Sequence, residues 1–129
     1  MKKIVLLFVL AMLLAGCSAP AETVTYRQIS MDEAMQMMTN EADYILLDVR
    51  TQAEFEEKHI PGAICIPNET IGSSEIPDLP DKDQLILVYC RSGNRSKQAS
   101  EKLASLGYTN IVEFGGIIDW PGETVSGPS

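Results

Sequence analysis

At 129 residues and a formal charge of −8, the chain has room for one domain and little for a second. With 18 Asp and Glu against 10 Lys and Arg, its surface is repelled by nucleic acid and by anionic lipid headgroups. Three cysteines and one histidine provide neither a disulfide framework nor a ligand set for zinc, which leaves thiol chemistry without metal or organic cofactor.

Met1-Lys2-Lys3 opens the chain with positive charge, and residues 4–15 are an unbroken apolar run. The run is too short for a comfortable membrane span and suits a secretory signal. It closes on Leu14-Ala15-Gly16-Cys17, which resembles the lipobox of bacterial lipoproteins. The resemblance implies a signal peptide over residues 1–16, cut before Cys17, which would carry lipid as the new N-terminus. The other reading is an ordinary signal peptide with a chance cysteine. Cleavage before Cys17 leaves 113 residues and, by loss of Lys2 and Lys3, a charge of −10. Residues 17–23 then form a lipidated tether. The expected location is the bacterial cell envelope outside the cytoplasm, on the periplasmic side or the outer face of the plasma membrane. The membrane is the partner there through lipid, not through surface charge.

From residue 24 onward short apolar runs alternate with helical ones. Residues 26–29 read as a first strand. Ser30-Met31-Asp32-Glu33 has the capping-box pattern, and Ala34, Met35 and Met38 follow at helical spacing as core residues. Residues 44–47 read as a buried strand ending in Asp48-Val49-Arg50. Thr51-Gln52-Ala53-Glu54 is a second capping box, opening a helix to about residue 58. Pro61-Gly62 turns the chain, residues 63–66 form a third strand, and residues 68–83 read as loop. Residues 85–89 are the strongest strand. Residues 96–106 read as a helix with Ala99, Leu103 and Leu106 on one face and Gly107 just past its end. Residues 110–114 are the last strand, followed by Gly115-Gly116.

Strands separated by helices imply parallel pairing and right-handed crossovers. Strands that are apolar throughout imply cover on both sides. The expected architecture is α/β: a central parallel sheet of about five strands with helices on both faces. It occupies residues 24–122, with 123–129 as a C-terminal tail.

VYCRSGNRS, residues 88–96, places a thiol where the strongest strand gives way to a helix. In an open parallel sheet, ligands bind beyond the carboxyl ends of the strands. Arg91, Ser92, Gly93, Asn94 and Arg95 are the expected loop, with Ser96 opening the helix. Free N–H groups at a helix start, with the helix dipole behind them, stabilise an anion, here first the Cys90 thiolate. Of the eight Lys and Arg in residues 17–129, Arg91, Arg95, Lys97 and Lys102 fall on this loop and helix. A cationic mouth on an acidic protein selects a small anionic substrate. The alternative is a buried structural cysteine beside solvated charges.

CRSGNRS resembles the active loop of rhodanese-domain sulfurtransferases, in which four residues separate a cysteine from an arginine. Leu47-Asp48-Val49-Arg50, Glu54-Phe55, His59-Ile60-Pro61-Gly62-Ala63, and Gly115-Gly116 with Trp120 downstream resemble further family segments in the same order. The resemblance spans about residues 24–122. It implies a rhodanese-like fold and a persulfide cycle. The Cys90 thiolate attacks the outer sulfur of a donor such as thiosulfate, sulfite leaves, and the Cys90 persulfide passes sulfur to cyanide, a thiol or a protein acceptor. It further implies that N–H groups of residues 91–96 cradle the persulfide, that Arg95 braces the loop and that Arg91 meets the donor. Asp48 and Arg50 become mainly architectural supports. His59 becomes a structural hydrogen-bonding residue rather than a general base. Trp120 is expected to pack beside the loop, with substrate contact as the lesser reading. Cys65 stands where the family often has asparagine, and reads either as a small core residue or as a resolving thiol for Cys90.

Two other functions compete. Cysteine-dependent phosphatases place five residues between cysteine and arginine, whereas four separate Cys90 from Arg95. A non-enzymatic envelope sulfur carrier or redox-sensing module would have Cys90 charged by another protein. Outside the cytoplasm a thiolate meets oxidants, so Cys90 needs a reductant or an acceptor that regenerates it.

Overall fold

The computed structural model describes residues 25–129. The signal, Cys17 and the tether lie outside the described residues. β1 (Arg27–Gln28) leads into α1 (Met31–Asn40), and β2 (Ile45–Asp48) into α2 (Gln52–Glu57). Then come β3 (Ile64–Cys65), β4 (Ile86–Cys90), α3 (Asn94–Ser105) and β5 (Ile111–Gly116). The sheet runs β1-β5-β4-β2-β3 with every pair parallel. This is the expected α/β architecture.

Local chemistry sets the helix ends. Thr51 makes the full capping box: its hydroxyl accepts the Glu54 N–H, and the Glu54 carboxylate accepts the Thr51 N–H. Ser30 makes only half of one. Its hydroxyl accepts the Glu33 N–H at 3.1 Å and donates to the Glu33 carboxylate at 3.2 Å, but that carboxylate does not bond the Ser30 N–H. At the end of α3 the chain turns through Gly107 at φ +97°, a region that costs glycine little. There Gly107 N–H reaches the Ala104 carbonyl and Tyr108 N–H the Leu103 carbonyl, closing the last turn.

β4 is buried along its whole length, and the period-2 alternation of a strand divides it between two cores. Ile86, Val88 and Cys90 pack under α3 with Ala99, Leu103 and Ala104. Leu87 and Tyr89 pack on the other side with Ala34 of α1 and Phe55 of α2. Continuous apolarity in β4 is thus the consequence of helices on both faces.

Several boundaries differ from expectation, most by a single residue, and β5 runs on through Gly116. β4 includes Cys90, and α3 begins at Asn94, two residues before the expected start, because Gly93 caps it in a left-handed conformation at φ +112°. β3 has only two residues, since Pro67 and a 3-10 turn at Asn68–Thr70 end the pairing. The segment after residue 122 is docked as well: Val125 exchanges two backbone hydrogen bonds with His59, and Gly127 N–H reaches the Glu56 carbonyl.

Candidate active site

β4 delivers Cys90 to the carboxyl edge of the sheet, opposite Gly116 of β5 after a register shift. The chain then bends through residues 91–93 and enters α3. Glycines make this bend fit. A Cβ on Gly116 would collide with the Arg91 carbonyl and the Ser92 nitrogen, so β5 and the bend touch through bare backbone. Gly93 adopts its positive φ and turns its N–H onto Cys90 Sγ at 3.0 Å. The thiol is 1 % exposed, and its second contact is a hydrogen bond to Ser96 Oγ at 3.4 Å.

Of the expected cradle, then, the Gly93 N–H is the group on sulfur. Asn94, Arg95 and Ser96 form the first turn of α3, where N–H groups lack intrahelical acceptors. Ser92 and Asn94 are exposed, and Ser96 is fully buried. Arg95 does not bond the sulfur but forks onto the Glu54 carboxylate at 2.7 and 3.0 Å. That fork, together with Thr51, holds the Glu54 carboxyl at about 2 despite partial burial. The two arginines of the motif therefore divide: Arg95 ties α3 to α2, and Arg91 stays exposed.

The cationic mouth is narrower than the sequence suggests. Lys102 is engaged by the Asn68 carbonyl and amide oxygen at 2.9 and 3.1 Å, and Arg95 by Glu54. An open cleft of about 440 Å³ lies beside the bend, lined by Arg91, Arg50, Lys58, Glu54, Glu57, Ile117 and Ile118. Arg91 and Lys58 are exposed cations at its edge.

Asp48 and Arg50 form a knot at the end of β2. Arg50 Nη2 lies 2.7 Å from Asp48 Oδ2, and the same nitrogen donates to the Lys58 carbonyl. Both residues are buried, and the knot joins β2 to the end of α2. His59 is fully buried, stacked on Phe55 at 3.7 Å, with Nδ1 on the Phe55 carbonyl at 2.8 Å. Trp120 donates its indole N–H to the Glu123 carbonyl and packs on the core cluster that includes Ile117, a residue lining the cleft beside the bend. Its ring lies over Gly122, where a Cβ would collide with it.

The structure also decides between the readings of Cys65. Its side chain packs on the α1/α2 side, whereas Cys90 lies under α3. β2 stands between their strands, putting them two strand spacings, roughly 9.6 Å, apart. A disulfide needs Cα atoms within about 7 Å. Burial, with Asp48 nearby, pushes the Cys65 thiol up to about 11, so it is also a poor nucleophile. The resolving-thiol reading is excluded.

A profile of the rhodanese-like domain matches residues 30–122. The chain belongs to the rhodanese-like domain family. Residues 1–18 match the prokaryotic membrane lipoprotein lipid attachment site. A sulfurtransferase of Allochromatium vinosum is 38% identical over 96 residues, covering 72% of this chain and 86% of that protein. The thiosulfate sulfurtransferase PspE of Escherichia coli is 37% identical over 73 residues, covering 57% and 70% respectively. The structure of an E. coli rhodanese with anions superposes with a TM-score of 0.59 at 34% identity, over 65% of this chain and 99% of that one. No helix among the described residues is long and apolar enough to cross a membrane.

The rhodanese-like site contains one residue that the motif does not single out. Glu113 of β5 is 3 % exposed. Its Oε2 accepts from Ser96 Oγ at 2.8 Å and from Gly115 N–H at 2.6 Å, and its Oε1 from the Gln28 amide at 3.4 Å. The available signal was a lone acid within the apolar run Ile111-Val112-Glu113-Phe114.

Proposed function

We propose that this chain is a rhodanese-type sulfurtransferase that carries sulfane sulfur on Cys90 from a small anionic donor such as thiosulfate to a thiol acceptor. The observation that carries this reading is the Cys90 thiol at the end of the central strand, receiving the Gly93 N–H, with Arg91 exposed at the adjoining cleft. The thiolate attacks the outer sulfur of thiosulfate. The donor S–S bond breaks, and sulfite leaves with its electron pair. An acceptor thiolate then attacks the outer sulfur of the Cys90 persulfide and restores the Cys90 thiolate. Arg91 attracts the donor, and the fork between Arg95 and Glu54 holds the first turn of α3 in place while sulfur moves.

The same fork argues against phosphate chemistry, because the arginine that would clamp a phosphate is already bound by a carboxylate. In this reading residues 1–16 are a signal and residues 17–23 a tether lipidated at Cys17. Residues 24–122 are the catalytic domain, held at a membrane of the bacterial envelope outside the cytoplasm.

Intact mass after incubation with thiosulfate tests the proposal. One added sulfur, removed by cyanide and absent in Cys90→Ser, is expected. Sulfur on Cys65, or turnover that survives Cys90→Ser, refutes it.

A further inference from the structure

A buried carboxylate ordinarily has a cation beside it, because its desolvation is otherwise uncompensated. Glu113 departs from this. Its hydrogen-bond partners among the described residues are the Ser96 hydroxyl, the Gly115 N–H and the Gln28 amide, all neutral. It lies two hydrogen bonds from the Cys90 sulfur: Sγ to Ser96 Oγ at 3.4 Å, then Oγ to Glu113 Oε2 at 2.8 Å. Ser96 has one hydroxyl proton and three acceptors within reach, the others being the Gly93 carbonyl at 2.9 Å and the Gly115 carbonyl at 3.4 Å. The carboxylate is both the nearest and the charged one, so it takes that proton. The Ser96 lone pair is then turned to the thiol S–H.

We propose that Glu113 is a positioning residue for sulfur transfer, taking up through Ser96 the proton that Cys90 gives up. As the S–H bond of Cys90 breaks, its proton forms a new O–H bond on Ser96 Oγ. The former Ser96 proton passes to Glu113 Oε2 in the same movement. Electrons stay with their atoms, and the negative charge moves from carboxylate to sulfur. The thiolate arises without a second charge entering the core, and the new Ser96 O–H points back at it. The Gly93 N–H, already on Sγ, serves the thiolate throughout. When the thiolate is regenerated as a thiol, the same chain returns the proton.

The charged groups facing this network are Arg91, next to Cys90 in sequence, and Arg95 of α3 with Glu54 of α2. On the Gln28 side stand Tyr26, whose hydroxyl is pushed up by burial and then by Glu101 and Glu113, and Glu101 itself, exposed on α3. Arginine and a tyrosine so placed keep their protonation from acid to mildly alkaline pH, and Glu54 is ionised above about 2.

The proposal rests on Cys90 being the reacting thiol, and its test separates the two. The rate of Cys90 alkylation by iodoacetamide is measured against pH in the wild type, Glu113→Gln and Ser96→Ala, with the modified site read by peptide mass. A proton shared between Cys90 and Glu113 gives two rises separated by a level stretch. Glutamine keeps the shape but cannot take a proton, and alanine cuts the chain. Each variant should therefore show a single rise, falling about tenfold per pH unit below it, where the wild type stays level. Melting temperatures report any purely structural effect, which would leave the number of rises unchanged. A single rise in the wild type, or two rises retained in either variant, overturns the shared proton. Alkylation at Cys65 with Cys90 unmodified overturns instead the assignment of the nucleophile.

Discussion

Gly116 shows how little freedom the site has at the level of a single residue. Its backbone lies against the Arg91 carbonyl and the Ser92 nitrogen, neither of which can swing aside as a flexible side chain would. Its φ of −143° is open to any residue, so steric contact alone demands glycine. Gly116→Ala should therefore push the bend outward and move the Gly93 N–H off sulfur. Misplacement by about 1 Å costs on the order of a hundredfold in rate. We expect thiosulfate turnover to fall by roughly that factor while the protein remains folded, checked by steady-state kinetics beside a thermal melt. Turnover within about twofold of wild type would show that the bend tolerates displacement. Gly93 has the other kind of requirement, since its φ of +112° is strained for any residue with a Cβ.

Between elements, the tie that matters most for the site joins α2 to α3. Glu54 does two jobs with one carboxylate: it closes the capping box of its own helix and receives the Arg95 fork. Its folded-state value of about 2 lies below the ordinary 4.5, so its charged form is favoured by folding. The stabilisation is therefore complete above pH 4.5 and is lost as pH falls toward about 2. Glu54→Gln should lower stability by about 1 kcal/mol at neutral pH, as befits a half-exposed pair. That difference from wild type should shrink to nothing near the acid limit, as read by urea unfolding at a series of pH values. A constant difference across that range would mean that packing, not charge, is what the variant lost. The full capping box at Thr51 and the half box at Ser30 were legible because each spans four adjacent residues. The Arg95 fork was not, because its partners are 41 positions apart.

For the whole molecule, five parallel strands give the sheet two unlike ends. Cys90 lies at the carboxyl end. At the other end, ahead of β2, β4 and β5, Glu41, Asp43, Asp81 and Asp83 line an open cleft of about 330 Å³ together with Arg27. The described chain begins at this acidic end, just before β1. Eight residues, 17–24, reach at most about 28 Å. A lipid on Cys17 would thus hold the acidic end nearer the bilayer and present the Cys90 end to the solution, where acceptors arrive. A fluorophore at residue 83 of the lipidated chain in vesicles should be quenched by a lipid-borne quencher more than one at residue 118. Stronger quenching at 118 would reverse this orientation.

Taken alone, the amino-acid sequence determined the features whose causes are local. Short continuous apolar runs for the strands and period-3.6 patterns for the helices set the α/β alternation, and Thr51-Glu54 and Gly107 set helix ends. The run from Val88 to Ser96 put a thiol at a strand-to-helix junction. Only the tertiary structure decided what surrounds that thiol. Sheet order placed β2 between the strands of Cys65 and Cys90, and strand alternation sent the two thiols to opposite faces. Packing of α3 on β5 brought Ser96 to Glu113 across 17 residues, and bare backbone at Gly116 admitted the bend. Such contacts arise from how whole elements are stacked, so no window of neighbouring residues encodes them.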